Sequence, residues 1–188
     1  MPRAKRALLD LGIYHVFNRG NNGLDIFNDS DDFCMFSRLL NESKNEFNVQ
    51  IFHYCLMRNH FHLLLQIPHW DTLPKFMHKI QLTYARFFKK KLDFTGHLFQ
   101  NRYRSPLIPE ESYYLECGRY IERNPIKAGL VSDPSQYKWS SAKYYTRGLS
   151  DPIVTPNSYY LEIGQTPEER KIQYQKFLLI DDPYKNSW

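Results

Sequence analysis

Asn59-His60-Phe61-His62-Leu63-Leu64-Leu65-Gln66-Ile67 is the stretch that decides the fold. It reads as a strand, on which successive side chains point to opposite faces. Phe61, Leu63 and Leu65 turn toward a core. His60 and His62 share the other face, two residues apart, where one divalent ion can reach both imidazoles. Pro68 ends the strand. Upstream, residues 49–57 alternate in the same way, and Arg58-Asn59 is a connection short enough to make the two a hairpin.

Residues 11–19 give a further strand, with Ile13, His15 and Phe17 alternating against Tyr14, Val16 and Asn18. Gly20-Asn21-Asn22-Gly23 ends it in residues that tolerate positive φ. Asp29-Ser30-Asp31-Asp32 opens a helix, since acids in the first turn complement its dipole; Phe33, Phe36, Leu39, Leu40 and Phe47 form its apolar stripe. A second helix runs from residue 73 to about 91, with Phe76, Ile80, Tyr84, Phe87 and Phe88 near one side.

Residues 103–108 read as another strand. Pro109-Glu110-Glu111-Ser112 begins a third helix, which Asn124-Pro125 should end because proline disfavours helix in the residue before it. The order β-α-β-β-α-β predicts an α+β fold built on a ferredoxin-like antiparallel sheet. Two helices should cover one face, and the third should approach the face carrying His60 and His62. Trp139-Ser140-Ser141 leads into a short helical piece ending at Tyr145. Residues 146–158, with Gly148, Pro152 and Pro156, read as a linker. Thr166-Pro167-Glu168-Glu169 starts a last helix reaching about residue 180. The expected organisation is one domain over residues 1–146, followed by a linker and a C-terminal helical extension over 147–188 that packs on it.

At 188 residues and 42% hydrophobic, the chain is large enough for one well-cored domain. No apolar run approaches the roughly 18 residues that cross a bilayer. The basic N-terminus lacks an apolar stretch of signal-peptide length, so a cytoplasmic location is expected. Cys34, Cys55 and Cys117 are odd in number and widely spaced, which argues for buried thiols over disulfides or a zinc ribbon.

The net charge of +5 is unevenly spread: residues 150–188 carry −2, leaving +7 on residues 1–149. Residues 86–104 hold Arg86, Lys89, Lys90, Lys91, Arg102 and Arg104 against a single acid, Asp93, with Phe87, Phe88, Phe94, Phe99 and Tyr103 interleaved. Cations that follow phosphates and rings that stack on bases suit single-stranded nucleic acid. A solvated helix end with ordinary core phenylalanines fits the same residues.

Arg119-Tyr120-Ile121-Glu122-Arg123-Asn124-Pro125 supplies the second half of a site. Glu116, Tyr120 and Asn124 recur every four residues, placing a carboxylate, a phenol and a carboxamide on one helical stripe. A free phenol has a pKa of about 10, so phenolate near neutral pH costs roughly 4 kcal/mol. A divalent ion at the scissile phosphate can offset that cost. Arg119 or Arg123 would be placed to stabilise developing charge, or simply be solvated. Fourteen tyrosines make packing the competing role for any one of them.

The chain resembles the single-tyrosine HUH transposases, in the branch of REP-associated tyrosine transposases. The resemblance spans about Tyr14 to Tyr145. It rests on the segments beginning His15-Val16-Phe17-Asn18-Arg19-Gly20, Tyr54-Cys55-Leu56-Met57-Arg58-Asn59-His60-Phe61-His62 and Gly96-His97-Leu98-Phe99-Gln100-Asn101-Arg102-Tyr103. Tyr120-Ile121-Glu122-Arg123-Asn124-Pro125-Ile126-Lys127-Ala128-Gly129-Leu130 and Trp139-Ser140-Ser141 complete it.

The resemblance implies Mg²⁺ or Mn²⁺ bound by His60, His62 and Asn124, with Tyr120 as the nucleophile. It also implies single-stranded DNA with hairpin or palindromic repeats as partner, and a 5′-phosphotyrosine intermediate in cleavage and rejoining. Arg86, Lys89, Lys90, Lys91, Arg102, Arg104, Arg119 and Arg123 would then contact DNA, in a monomer or homodimer. The alternative is a non-catalytic DNA- or RNA-hairpin-binding regulator on the same fold. Such a regulator need not keep all four site residues, and RNA modules of this fold display aromatics where this sheet shows histidines.

Overall fold

A computed structural model describes residues 8–109 and 111–180, apart from the side chains of Glu111 and Ser112. The basic N-terminal residues 1–7, Glu110 at the start of the third helix, and residues 181–188 lie outside it. Three continuous strands form an antiparallel sheet in the order β1-β3-β2: β1 (Ile13–Arg19), β2 (Gln50–Met57) and β3 (His60–Gln66). β3 is therefore central, and its register sets Phe17 and Cys55 opposite His62 from its two sides.

The predicted fourth strand is a broken one. Residues 104–108 run antiparallel along the free edge of β1, with the His15 amide donating to the Pro106 carbonyl at 3.0 Å and the Ile108 amide to the Ile13 carbonyl at 2.8 Å. Pro106 has no N–H to return the bond, so pairing survives as isolated bridges rather than a ladder.

Helices α1 (Ser30–Glu46) and α2 (Thr72–Leu92) cover one sheet face. Asp29 caps α1 as the acids before it suggest, its Oδ1 accepting from the amides of Asp31 and Asp32. Tyr14, Val16, Phe61, Leu63 and Leu65 point into this layer and are essentially fully buried among Phe36, Leu40, Phe76, Ile80 and Tyr84. Helix α3 (Glu111–Lys127) lies on the other face, where Tyr114, Cys117 and Ile121 pack on Cys55, Met57 and Leu64. Gly118 permits this close approach: a Cβ there would stand 2.7 Å from His53 Nε2. Helix α3 continues past the proline that was expected to end it, with Pro125 inside its last turn.

The stretch read as a linker is built into the core. Ile153 and Val154 are buried, the Thr155 amide donates to Ile51 O at 2.7 Å, and Tyr54 donates its hydroxyl to Asp151. With the Leu56 amide donating to Trp139 O, these residues cover the outer edge of β2. Short helices α4 (Ala142–Arg147) and α5 (Ser158–Glu162) lead to α6 (Pro167–Leu179), which starts at a capping box between Thr166 and Glu169. Cys55 and Cys117 are buried thiols as expected, whereas Cys34 is exposed on the outer side of α1. Among the described residues, no helix is long and apolar enough to cross a membrane.

Candidate active site

His60 and His62 project from β3 toward α3, their ring centroids 5.1 Å apart. Each is held through Nδ1. The His60 Nδ1 lies 2.6 Å from Asn59 Oδ1, an acceptor, so it carries the proton and leaves Nε2 with a free lone pair. The His62 Nδ1 lies 2.9 Å from Nε2 of His15, which reaches across from β1. In the tautomer where His62 offers Nε2 to a ligand, its Nδ1–H donates to His15.

Burial pushes the His15 pKa down to about 4. His62 is held well below its usual range, first by burial and then by the charges of His15, His60 and Lys127. His60 is lowered chiefly by burial, against an opposing hydrogen bond to Asn124 that favours the charged ring. All three rings are therefore neutral near pH 7, the state in which imidazole binds metal.

Tyr120 stands over these rings. Its centroid is 5.8 Å from His62 and 5.9 Å from His15, both edge-on, and the Lys127 ammonium sits 4.3 Å from its centroid. Asn124, one turn further along α3, reaches His60. The structure thus brings together Tyr120, His60, His62 and Asn124. Glu116 does not join them, because its carboxylate pairs with Arg119 at 2.6 Å.

These residues fit a divalent ion. With His62 in the tautomer protonated at Nδ1, two imidazoles offer Nε2 lone pairs from one strand face beside the Asn124 carboxamide, a mixed N/O set that leaves further positions for phosphate oxygens and water. Among the described residues no third His, Cys, Asp or Glu joins the histidine pair, and the Asn124 carboxamide is the polar side chain that meets His60 from α3. His15 supports the set from behind rather than adding to it.

A cleft of about 440 Å³ opens beside the histidines, lined by Phe17, Asn18, Arg19, Asn59, Gln100, Asn101, Arg102 and Arg104 as well as His60, Phe61 and His62. Arg104 bridges to Phe17, which faces His62, so these three side chains form one row across the sheet. Arg19, opposite His60, bonds Gln100. Of the basic residues predicted to meet DNA, the cleft contains Arg102 and Arg104.

Arg86, Lys89 and Lys90 are exposed on α2, in the layer behind the sheet. Lys91 bridges Asp29 and Asp32 at the start of α1, 2.7 Å from each. Arg119 and Arg123 donate to the carbonyls of Leu178 and Ile180 at the end of α6, where a guanidinium complements the helix C-terminus. Sequence reasoning missed Arg19, His15 and Lys127 as site residues. The shared face of His15 and Phe17 in β1 was the available signal for His15, and the seven-residue spacing from Tyr120 was the signal for Lys127.

A family model described as "Transposase IS200 like" matches residues 10–124, from before β1 through Asn124. The chain belongs to the IS200-like transposase family. A REP-associated tyrosine transposase, solved bound to a REP hairpin, superposes on this family member with a TM-score of 0.65 and 18% identity, covering 84% of this chain and 93% of the other. A putative transposase from Deinococcus radiodurans gives a TM-score of 0.45 at 16% identity, over 65% of this chain and 97% of the other. No curated protein matches the chain.

The buried histidines make the metal-free transposase sensitive to acid. His15 has a folded pKa of about 4 against its usual 6.5, so the unfolded chain takes up the proton first. Its contribution is complete above pH 6.5 and is lost as pH falls toward 4, by up to about 3 kcal/mol. His60 and His62 act in the same direction. Urea melts between pH 7 and 4 should show a steeper loss for the native protein than for His15→Gln; parallel profiles would remove His15 as a source of the acid sensitivity.

Proposed function

We propose that this transposase cleaves and rejoins single-stranded DNA at hairpin or palindromic repeats, using Tyr120 as nucleophile and a Mg²⁺ or Mn²⁺ ion held by His60, His62 and Asn124. The observation that carries the reading is the edge-on contact of the half-buried Tyr120 ring with His62, beside a His60 whose Nδ1 is engaged by Asn59 and whose Nε2 is turned to Asn124. The relative solved with a REP hairpin supports the same kind of ligand here.

When bound, a divalent ion supplies charge neutralisation at the scissile phosphate. The chain's own residues do the rest. The Tyr120 oxygen attacks phosphorus as its proton passes to solvent, the bond to the 3′-oxygen breaks and that oxygen takes a proton from solvent, and the products are a 5′-phosphotyrosine and a free 3′-hydroxyl. Attack by another 3′-hydroxyl reverses the step and regenerates the phenol. Arg104 and Arg102 lie along the cleft to hold flanking phosphates, and Lys127 keeps a positive charge over the nucleophile's ring. His15 and Asn59 hold the two imidazoles in orientation.

The test incubates the protein with an end-labelled single-stranded hairpin and Mn²⁺, followed by a denaturing gel. Label retained with the protein, lost with chelator and lost in His60→Ala, is the expected outcome. Absence of any retained label across hairpin substrates, or an adduct unchanged in His60→Ala, would overturn the reading.

A further inference from the structure

Each turn of an α-helix closes when the N–H of one residue donates to the carbonyl four residues earlier. At position 125 that donor is missing, because proline has no N–H, and the orphaned acceptor is the Ile121 carbonyl. The helix nevertheless goes on. The Ala128 amide donates to Asn124 O at 3.0 Å, and the Leu130 amide to Pro125 O at 2.9 Å around Gly129, whose φ of +68° closes the end. The proline is therefore an interior lesion in the helix rather than its terminator.

The gap is filled by a side chain. Asn124 Nδ2 donates to Ile121 O at 3.1 Å and to Tyr120 O at 2.9 Å. Carbonyl oxygens only accept, so the amide nitrogen has to face them and Oδ1 has to face away. Away from the helix is where Asn124 meets His60. His60 Nδ1 already donates to Asn59, so in the neutral ring Nε2 has no proton to give the Asn124 oxygen, and two lone pairs meet there. A cation relieves that convergence. A flipped carboxamide would put an NH2 group in its place and repel the cation.

We propose that Pro125 is a positioning residue: by depriving Ile121 of its backbone donor, it locks the Asn124 carboxamide with nitrogen toward the helix and oxygen toward the metal position. This rests on Asn124 serving as a ligand in the function proposed above. Helix stability is given up to fix which atom the site receives, so stability and function should move in opposite directions when the proline is replaced.

Pro125→Ala restores an N–H for Ile121 and frees the carboxamide to turn. The melting temperature of the metal-free protein should rise by several degrees. Mn²⁺ affinity, read by calorimetry, should fall roughly tenfold, as for other residues that orient a metal ligand. A proline serving only to shape the fold predicts a lower melting temperature instead. Asn124→Ala, measured by melting in both backgrounds, isolates the lock. It should destabilise the native chain, in which it strands Ile121, and cost clearly less alongside Pro125→Ala.

Equal costs in the two backgrounds, or unchanged Mn²⁺ affinity in Pro125→Ala beside a weakened His60→Ala control, would overturn the proposal. If the native protein and His60→Ala bind Mn²⁺ equally, the metal reading of the site fails, while the melting cycle still decides whether the lock exists.

Discussion

Tyr120→Phe should eliminate the covalent protein–DNA adduct and leave both the fold and hairpin binding in place. The substitution removes one oxygen from a half-buried ring whose contacts are edge-on to His15 and His62 and under the Lys127 ammonium. Those contacts belong to the ring, and phenylalanine keeps them. Loss of the nucleophile itself removes the covalent route, so the labelled adduct should drop by about a thousandfold or more. Melting temperature and hairpin affinity, measured on the same preparation, should stay close to native.

An adduct that survives would transfer the role to another phenol, and the structure orders the suspects. Tyr113 is exposed on the same helix, two turns away. Tyr114 is buried, and its phenol is held well above the usual range by that burial. Tyr113→Phe would then be the variant to make.

Much of the site was legible because its parts are local. Two-residue alternation put His60 and His62 on one face of a strand, and four-residue spacing put Tyr120 and Asn124 on one face of a helix. Both are consequences of backbone geometry that no neighbour can undo. Capping chemistry located the starts of α1 and α6 for the same reason, since Asp29 and Thr166 act within three residues of themselves. The same stripe misled at Glu116. A helical face says which side chains share a direction, but an arginine three residues on can claim the carboxylate first.

Other features depend on segments far apart in the chain, and their signals are weak or absent from any window. His15 meets His62 only because β1 pairs with β3 in one register. Residues 104–108 continue the sheet through a proline that composition alone marks as a break. The glycine and prolines of residues 146–158 suggest a flexible connection, yet Ile153 and Val154 find a hydrophobic seat against β2. The basic run of residues 86–104 is the clearest case. Its charge reads as one feature, but the chain turns after α2, so Arg102 and Arg104 enter the cleft while Arg86, Lys89 and Lys90 stay in the helical layer behind it.

Glu122 is the residue whose importance the sequence hid most completely, and Glu122→Ala should be the most destabilising single change on α3. Its carboxylate is fully buried and bonded on both oxygens. Oε1 lies 2.9 Å from His53 Nδ1 and accepts from Ser141 Oγ at 2.5 Å; Oε2 accepts from the Tyr174 hydroxyl at 2.9 Å. These partners come from β2, from the segment along the β2 edge and from α6, so one side chain ties three elements to the helix that carries Tyr120 and Asn124.

Truncation leaves those polar groups buried without their acceptor, beside a void where the carboxylate stood. Breaking such a cluster costs about 3 to 5 kcal/mol. At about 2–4 °C per kcal/mol for a chain of this size, the melting temperature should fall by roughly 10 °C. Tyr174→Phe removes one of the bonds and should cost about 1 kcal/mol. Adduct formation in Glu122→Ala should fall even at temperatures where the protein stays folded, because α3 loses its anchor to the sheet two residues from the nucleophile. A cost below about 1 kcal/mol in urea melts would mean that apolar packing of Tyr114, Cys117 and Ile121 holds α3 in place and the buried carboxylate does not.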